Sequence, residues 1–151
     1  MFMILLSEAK KQLDQILNES NKKLRPFFIT DEDNSFHSWV ISNELMEKLL
    51  DNLSCRTEIE KESNMGFWTA YVHELDVWGR GNTVEEAVDD LVSAVQDYME
   101  VFLDNIPFFL GAGRKEQLPY VFRVLFARGN REKIKEFLGV QSKYTGADLL
   151  S

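Results

Sequence analysis

The spacing of apolar and polar positions changes several times along the chain, and each change marks an element. Ser7 precedes Ala9, Leu13, Ile16 and Leu17, which recur at helical spacing, and its hydroxyl suits the cap of the first turn. That helix is expected to end near Asn18 to Asn21. Two short β-rich runs follow, Pro26–Thr30 and Ser38–Ser42, separated by the polar cluster Asp31–Ser35, which is the pattern of a hairpin. Ser42 suits the cap of a second helix, in which Leu45, Met46, Leu49, Leu50 and Leu53 form an apolar stripe.

A second unit begins near Cys55. Arg56–Lys61 reads as a strand, Ser63–Gly66 as a turn, Phe67–Leu75 as the return strand and Trp78–Gly81 as a short third. Alternation sets Phe67, Thr69, Tyr71 and His73 on one face of the return strand and Trp68, Ala70, Val72 and Glu74 on the other, one of which must be core. Thr83-Val84-Glu85-Glu86 has the form of a capping box, where the threonine side chain and the glutamate three residues on satisfy each other's backbone amides. Val84, Ala87, Val88, Leu91, Val95, Tyr98 and Phe102 then recur at helical spacing. Glu85, Glu86, Asp89, Asp90, Asp97 and Glu100 fall largely off that stripe, so one helix face is core and the other acidic. Beyond Pro107 the pattern gives a joint at Gly111–Gly113 and a helix with Pro119 in its first turn, running through Val121, Val124 and Leu125. After a break at Gly129-Asn130 a short helix, Arg131 to Leu138, is stopped by Gly139, and residues 141–151 read as a poorly ordered tail. The expected class is α+β: small antiparallel sheets with helices.

At 151 residues the chain can bury its own core, and 44% apolar with 28% charged residues, three prolines and eight glycines exclude disordered and collagen-like classes. No apolar run approaches the ~18 residues that span a bilayer. Met1–Leu6 is followed at once by polar Ser7–Lys10, so it is not read as a signal peptide, and a cytoplasmic location without membrane contact is expected. The single cysteine, Cys55, cannot form an internal disulfide, and with only His37 and His73 it cannot build a structural zinc site. No cofactor or metal is expected.

Charge changes the picture by region. Residues 1–65 hold eight Lys/Arg against twelve Asp/Glu, residues 66–110 one against nine, and residues 111–151 eight against four. The net −8 opposes nonspecific nucleic-acid binding by the whole chain. The acidic middle, whose one Lys/Arg is Arg80, is either a solvated helix face or a surface that draws in a basic partner. The basic C-terminal segment, with Arg114, Lys115, Arg123, Arg128, Arg131, Lys133 and Lys135, has two uses open to it. It docks on the acidic helix of its own or a neighbouring chain, which we favour, or it contacts nucleic acid.

Gly66 to Ala87, an aromatic strand, a corner at Leu75-Asp76-Val77-Trp78-Gly79 and then Gly81-Asn82-Thr83-Val84-Glu85-Glu86-Ala87 opening a helix, resembles the core of HicB-like antitoxins over about residues 55–105. The corner departs from the family's commonest proline-glycine-cysteine-like turn. The resemblance implies a partial ribonuclease-H-like β-β-β-α unit that is generally non-catalytic. Glu74, Asp76, Asp89 and Asp90 are available acids, yet no metal-ligand spacing or nucleophile–base pair accompanies them, so no enzyme is expected. His37 reads as a turn residue and His73 as a strand residue.

Leu6–Leu13, Pro26–Thr30 and Trp39–Glu44 are similar to the Phd/YefM antitoxins over about residues 3–53. That likeness implies an N-terminal unit that dimerises and binds operator DNA, with a separate region that neutralises the toxin. The organisation expected is therefore residues 1–53 as a Phd/YefM-like unit, 54–106 as a HicB-like unit, 107–140 as a helical extension and 141–151 as tail. On these resemblances the chain is expected to be an antitoxin of a type II toxin–antitoxin pair, binding a small basic toxin directly and repressing its own operon. The alternative is a non-enzymatic, homo-oligomeric α+β scaffold without toxin or DNA. Phosphate contacts would fall to Lys10, Lys11, Lys22, Lys23 and Arg25, and two-fold pairing would double them; their other reading is solvation of a helix and a turn. Toxin capture would use the acidic helix with the aromatic strand: Trp68, Tyr71, Trp78, Glu85, Asp89 and Glu100.

Overall fold

The computed structural model describes residues 3–140; the tail expected at 141–151 lies outside them. The chain divides into two units, Met1–Asp51 and Asn52–Ser151, beside the boundary expected at residue 53.

In the first unit, strand β1 (Met3–Leu5) passes directly into helix α1 (Leu6–Lys11), then α2 (Leu13–Lys23), β2 (Phe27–Thr30), β3 (His37–Val40) and α3 (Asn43–Leu49). The expected hairpin is there: β2 and β3 pair antiparallel, Phe28 opposite Trp39. The sheet is not wholly antiparallel, because β1 adds in parallel beside β2, Met3 opposite Phe28. Asp31 ties the hairpin turn, its carboxylate accepting from the backbone amides of Ser35 (2.8 Å) and Phe36 (3.1 Å). Ser7 does not cap the first helix, since the helix starts one residue earlier, straight from the strand, with Leu5 at its N-cap and no side-chain cap. Nor is there one helix ending near Asn21. The backbone leaves helical geometry at Gln12 (φ −116°), and α2 runs on to Lys23 before Leu24 closes it in the left-handed region. Ala9 and Ile16 join Phe27 and Ile29 in the core, whereas with the break at Gln12 Leu13 and Leu17 of the expected stripe stay exposed. Ser42 caps α3 as expected, its Oγ accepting from Leu45 N at 3.1 Å. The α3 stripe finds no core within the unit, for none of the helix's residues is buried.

The second unit is a β-meander, β4 (Thr57–Glu62), β5 (Phe67–Val72) and β6 (Val77–Gly81), backed by helix α4 (Val84–Asp104). Then come α5 (Ile106–Gly111), one 3₁₀ turn (Lys115–Gln117), α6 (Leu118–Phe126) and α7 (Arg131–Leu138). The capping box forms with a shift: Thr83 Oγ1 accepts from Glu86 N (3.1 Å), but the Glu86 carboxylate reaches back past Thr83 to Asn82 N (2.7 Å). Helix α4 lies close on β6 because Gly79 and Gly81 have no side chains; a Cβ at Gly79 would fall on the Leu91 backbone. Sequence reading missed α5, which starts with Pro107 in its first turn and ends next to the expected joint. Pro119 and Gly139 stand where expected, in the first turn of α6 and past the end of α7, Gly139 at φ 76°.

The helices read as an extension share one core with the meander. Val121, Val124, Ile134, Phe137 and Leu138 pack with Ala70, Val72, Leu91, Val95 and Phe102, all buried. Two links seal the chain's return: Thr57 Oγ1 donates to Leu138 O at 2.6 Å, and Cys55 N to Phe137 O at 3.3 Å. The docking favoured for the basic segment is also present, onto its own chain. Lys135 Nζ lies 3.1 Å from Asp89, and Arg131 donates to Asp89 O (2.8 Å), Gln96 Oε1 (3.1 Å) and Ser93 Oγ (3.2 Å).

Candidate functional site

Pairing register builds the outer face of the meander in rows. Glu58 stands opposite Tyr71 and Tyr71 opposite Trp78; Glu60, Thr69 and Arg80 form the next row, and Glu62 faces Phe67. Because strand side chains alternate, Ala70 and Val72 point the other way, into the core, so this row set has no layer over it within the unit. Trp78 is 59% exposed yet held in place, its ring stacked on Tyr71 at 4.1 Å and 28°. Tyr71 is fixed in turn by His73, edge-on at 4.8 Å, and by donating its hydroxyl to Asp76 at 2.7 Å. That bond to the carboxylate, more than burial or charge, holds the Tyr71 hydroxyl above the ordinary tyrosine range. Glu58 lies 3.0 Å from His73 Nε2. The Arg80 guanidinium lies over the Phe67 ring, 4.9 Å from its centroid, while its backbone amide donates to Asp90 at 2.8 Å. Between these groups is an open depression of about 430 Å³ lined by Glu62, Phe67, Thr69, Trp78, Gly79, Arg80 and Asp90.

The six residues expected to capture a toxin do not form one surface. Tyr71 and Trp78 are on the outer face, but Trp68 is on the inner one, half-buried against the core with Lys61 Nζ 5.9 Å from its ring. Glu85, Asp89 and Glu100 are exposed on α4, which packs against the inner face through Ala87 and Leu91. Asp89 is two positions, about 200°, around the helix from either of these, so it faces away from the sheet. Part of its charge is already met by Lys135 and Arg131. Glu85 and Glu100 stand about 22 Å apart along the axis. Asp90 is the α4 acid that does reach the outer face's rim. Sequence reading overlooked Glu58, Glu60 and Glu62, although a glutamate at every second position of β4 puts all three on one face.

Glu74 is structural: both its oxygens accept from Arg56 N, at 2.8 and 2.9 Å, where β4 begins. Burial, with Glu74 adding to it, pushes the neighbouring Cys55 thiol far up, leaving it a poor nucleophile. His37 is not a turn residue but the first of β3, its ring stacked on Phe28 at 5.5 Å.

In the first unit the open sheet face carries an apolar row beside a mixed one, Leu5, Thr30 and His37. Met3, Phe28 and Trp39 form one row across it, with Met3 56% and Trp39 58% exposed and Leu5 beside them. The residues expected to contact DNA are not one cluster. Lys10 and Lys11 end α1, while Lys22 and Lys23 end α2, about 16 Å of helix away. Lys11 pairs with Glu8 (3.7 Å), and Arg25 pairs with Glu19 (3.3 Å) and stacks over Phe27 (5.6 Å). All four lysines sit where a cation steadies a helix C-terminus. Among the described residues no helix is long and apolar enough to cross a membrane.

The PHD-like family model, described as antitoxin of toxin–antitoxin, RelE / RelB, TA system, matches residues 1–139. A crystal structure described as an antitoxin part of a proposed toxin/antitoxin system, from Syntrophomonas wolfei subsp. wolfei, is similar in fold. It shares 20% identity and a TM-score of 0.75, over 91% of this chain and 96% of that chain. Among curated proteins, none matches this chain.

Proposed function

Because the chain belongs to the PHD-like family of antitoxins of toxin–antitoxin systems, we propose that it neutralises a toxin protein by direct binding on the outer face of the β4–β6 meander. It is an antitoxin, and its family is not one of enzymes. The observation that carries the proposal is the stacked Tyr71–Trp78 pair on an uncovered sheet face beside Glu58, Glu60 and Glu62. An exposed aromatic held rigid by its neighbours loses little entropy on binding, and the carboxylates steer a basic partner toward it. The HicB-like reading of this unit is supported by its β-β-β-α order.

The scaffold alternative accounts for an apolar face but not for an acidic one, since an acidic face repels its own copy. The apolar row Met3–Phe28–Trp39 supports self-association of the first, Phd/YefM-like unit, and operator binding by the paired copies would use Lys10, Lys22 and Lys23.

The test is to co-express the chain with the adjacent reading frame. The toxin should co-purify with the wild type and be lost from Glu58→Lys/Glu60→Lys at low salt, where the reversed charges repel it most; retention by the variant at low salt rejects this surface. Replacing Lys10 and Lys22 with alanine should lower the salt slope of operator binding by about one for each phosphate no longer neutralised, and an unchanged slope removes the DNA assignment.

A further inference from the structure

Resting on the capture reading above, we propose that the depression at Thr69 is a receptor slot for one arginine side chain of the captured protein. Thr69 is the small residue of the outer face, set between Glu60 and Arg80 across the sheet and between Phe67 and Tyr71 along its own strand, so the surface dips at its position. The resulting volume, about 430 Å³, suits a single inserted group rather than a helix.

The chemistry of the walls selects that group. Trp78 offers the best cation-binding ring type, largely exposed and already fixed from behind by Tyr71. The protein uses the same contact itself, its own Arg80 guanidinium lying over the Phe67 ring, so the strand spacing accommodates a guanidinium on an aromatic ring. Two carboxylates border the slot. Glu62 makes no ion pair among the described residues, and Asp90 gives one oxygen to Arg80 N and keeps the other. Glu60, in the Thr69 row, adds a third negative charge against the single cation Arg80, so the slot attracts a positive group. Arginine fits better than lysine: its plane stacks on the indole while its edge donates two parallel hydrogen bonds to a carboxylate.

The probe is N-acetyl-arginine amide, titrated into the full-length chain with citrulline and lysine analogues as controls. The arginine amide should shift the Trp78 indole N–H and the Thr69 amide in NMR spectra, the lysine analogue less, and the neutral citrulline analogue not at all. With the toxin, Trp78→Ala and Thr69→Lys, the latter filling the slot with a tethered cation, should each weaken binding by about 30-fold, mostly through faster dissociation. Glu58→Gln, in the Tyr71 row and outside the slot, should act mainly on the association rate. Full affinity in both slot variants, with slower association in the glutamate variant, would overturn the slot while the capture face stands. No effect from any of the three would overturn both. Trp78→Ala removes an exposed ring and decides the matter if Thr69→Lys does not fold.

Discussion

Across the sheet of the first unit the open face runs Met3, Phe28, Trp39 and bears no carboxylate; across the meander the corresponding row is Glu58, Tyr71, Trp78, with Glu60 and Glu62 beside it. Both faces are three strands wide, both leave a tryptophan close to 60% exposed, and both have a buried inner side. They differ in charge. In a two-fold pairing each group meets the same surface on the partner, so a neutral apolar face tolerates its own copy and a face with three glutamates does not. On the proposed reading, the neutral face serves self-association and the acidic one a partner of opposite charge.

The largest change expected comes from beneath the acidic face. Leu91 is fully buried against Gly79 and the sheet, and Leu91→Ala should cost the meander unit about 3 kcal/mol in urea denaturation and abolish toxin capture. Capture at wild-type affinity with that loss of stability would separate binding from the fold of this unit. Next is Trp39→Glu, which sets two carboxylates against each other across a self-paired face. Sedimentation should show the dimer dissociation constant raised at least about tenfold with toxin binding unchanged. A smaller effect, about three- to tenfold on the association rate at low salt, is expected when Glu58, Glu60 and Glu62 all become glutamine, and it should vanish at high salt. If this variant also dimerises more tightly, the acidic face too is a self-contact and the contrast between the two faces fails.

The smallest effects are those of pH, and they separate the units by sign. Tyr71 has a folded-state pKa raised above its ordinary value of 10.0, chiefly by its bond to Asp76. The proton is held more tightly in the folded state, so this contribution is complete below pH 10 and is lost as pH rises through the raised value. Asp31 is lowered from 3.8, chiefly by the Ser35 hydroxyl, so its contribution is present above that value and is lost as pH falls through the lowered one. Alkali should therefore loosen the meander's outer corner, and acid the hairpin turn of the first unit. Asp76→Asn should bring Tyr71 ionisation back toward 10 in an ultraviolet titration, leaving the acid limb unchanged.

Much of this was legible where local chemistry decides. Thr83, Ser42, Pro119 and Gly139 each mark a helix end through their own backbone or side chain, and the structure uses each in that way. Ser7 failed because the helix before it grows directly from β1, whose strand character comes from pairing with β2, twenty-five positions on (Met3 with Phe28), and is not visible in a three-residue run. The Gln12 break is likewise invisible in the periodicity: in an unbroken helix Leu13, four positions from Ala9, would share its face with Ile16, whereas here it stays exposed. For the site, strand alternation separated Tyr71 from Trp68, but which face was core depended on where α4 packed. The structure puts Trp68 on the inner face and the acids of α4 away from the outer one, apart from Asp90 at its rim. The glutamates of β4 were present in the sequence at strand period, and their significance depended on knowing that the face was uncovered.

The bond from Thr57 to the Leu138 carbonyl joins residues 81 positions apart, and it belongs to a core that α6 and α7 close. A nascent chain has completed the meander long before Ile134, Phe137 and Leu138 exist to cover Ala70 and Val72. A contact of that sequence separation forms late, so the core that α4 begins behind the meander is closed only once synthesis has passed Val140. A ribosome stalled between Asp104 and Val140 thus yields a chain whose acidic face rests on an unfinished core. Under interrupted translation, the supply of antidote falls more steeply than the supply of polypeptide.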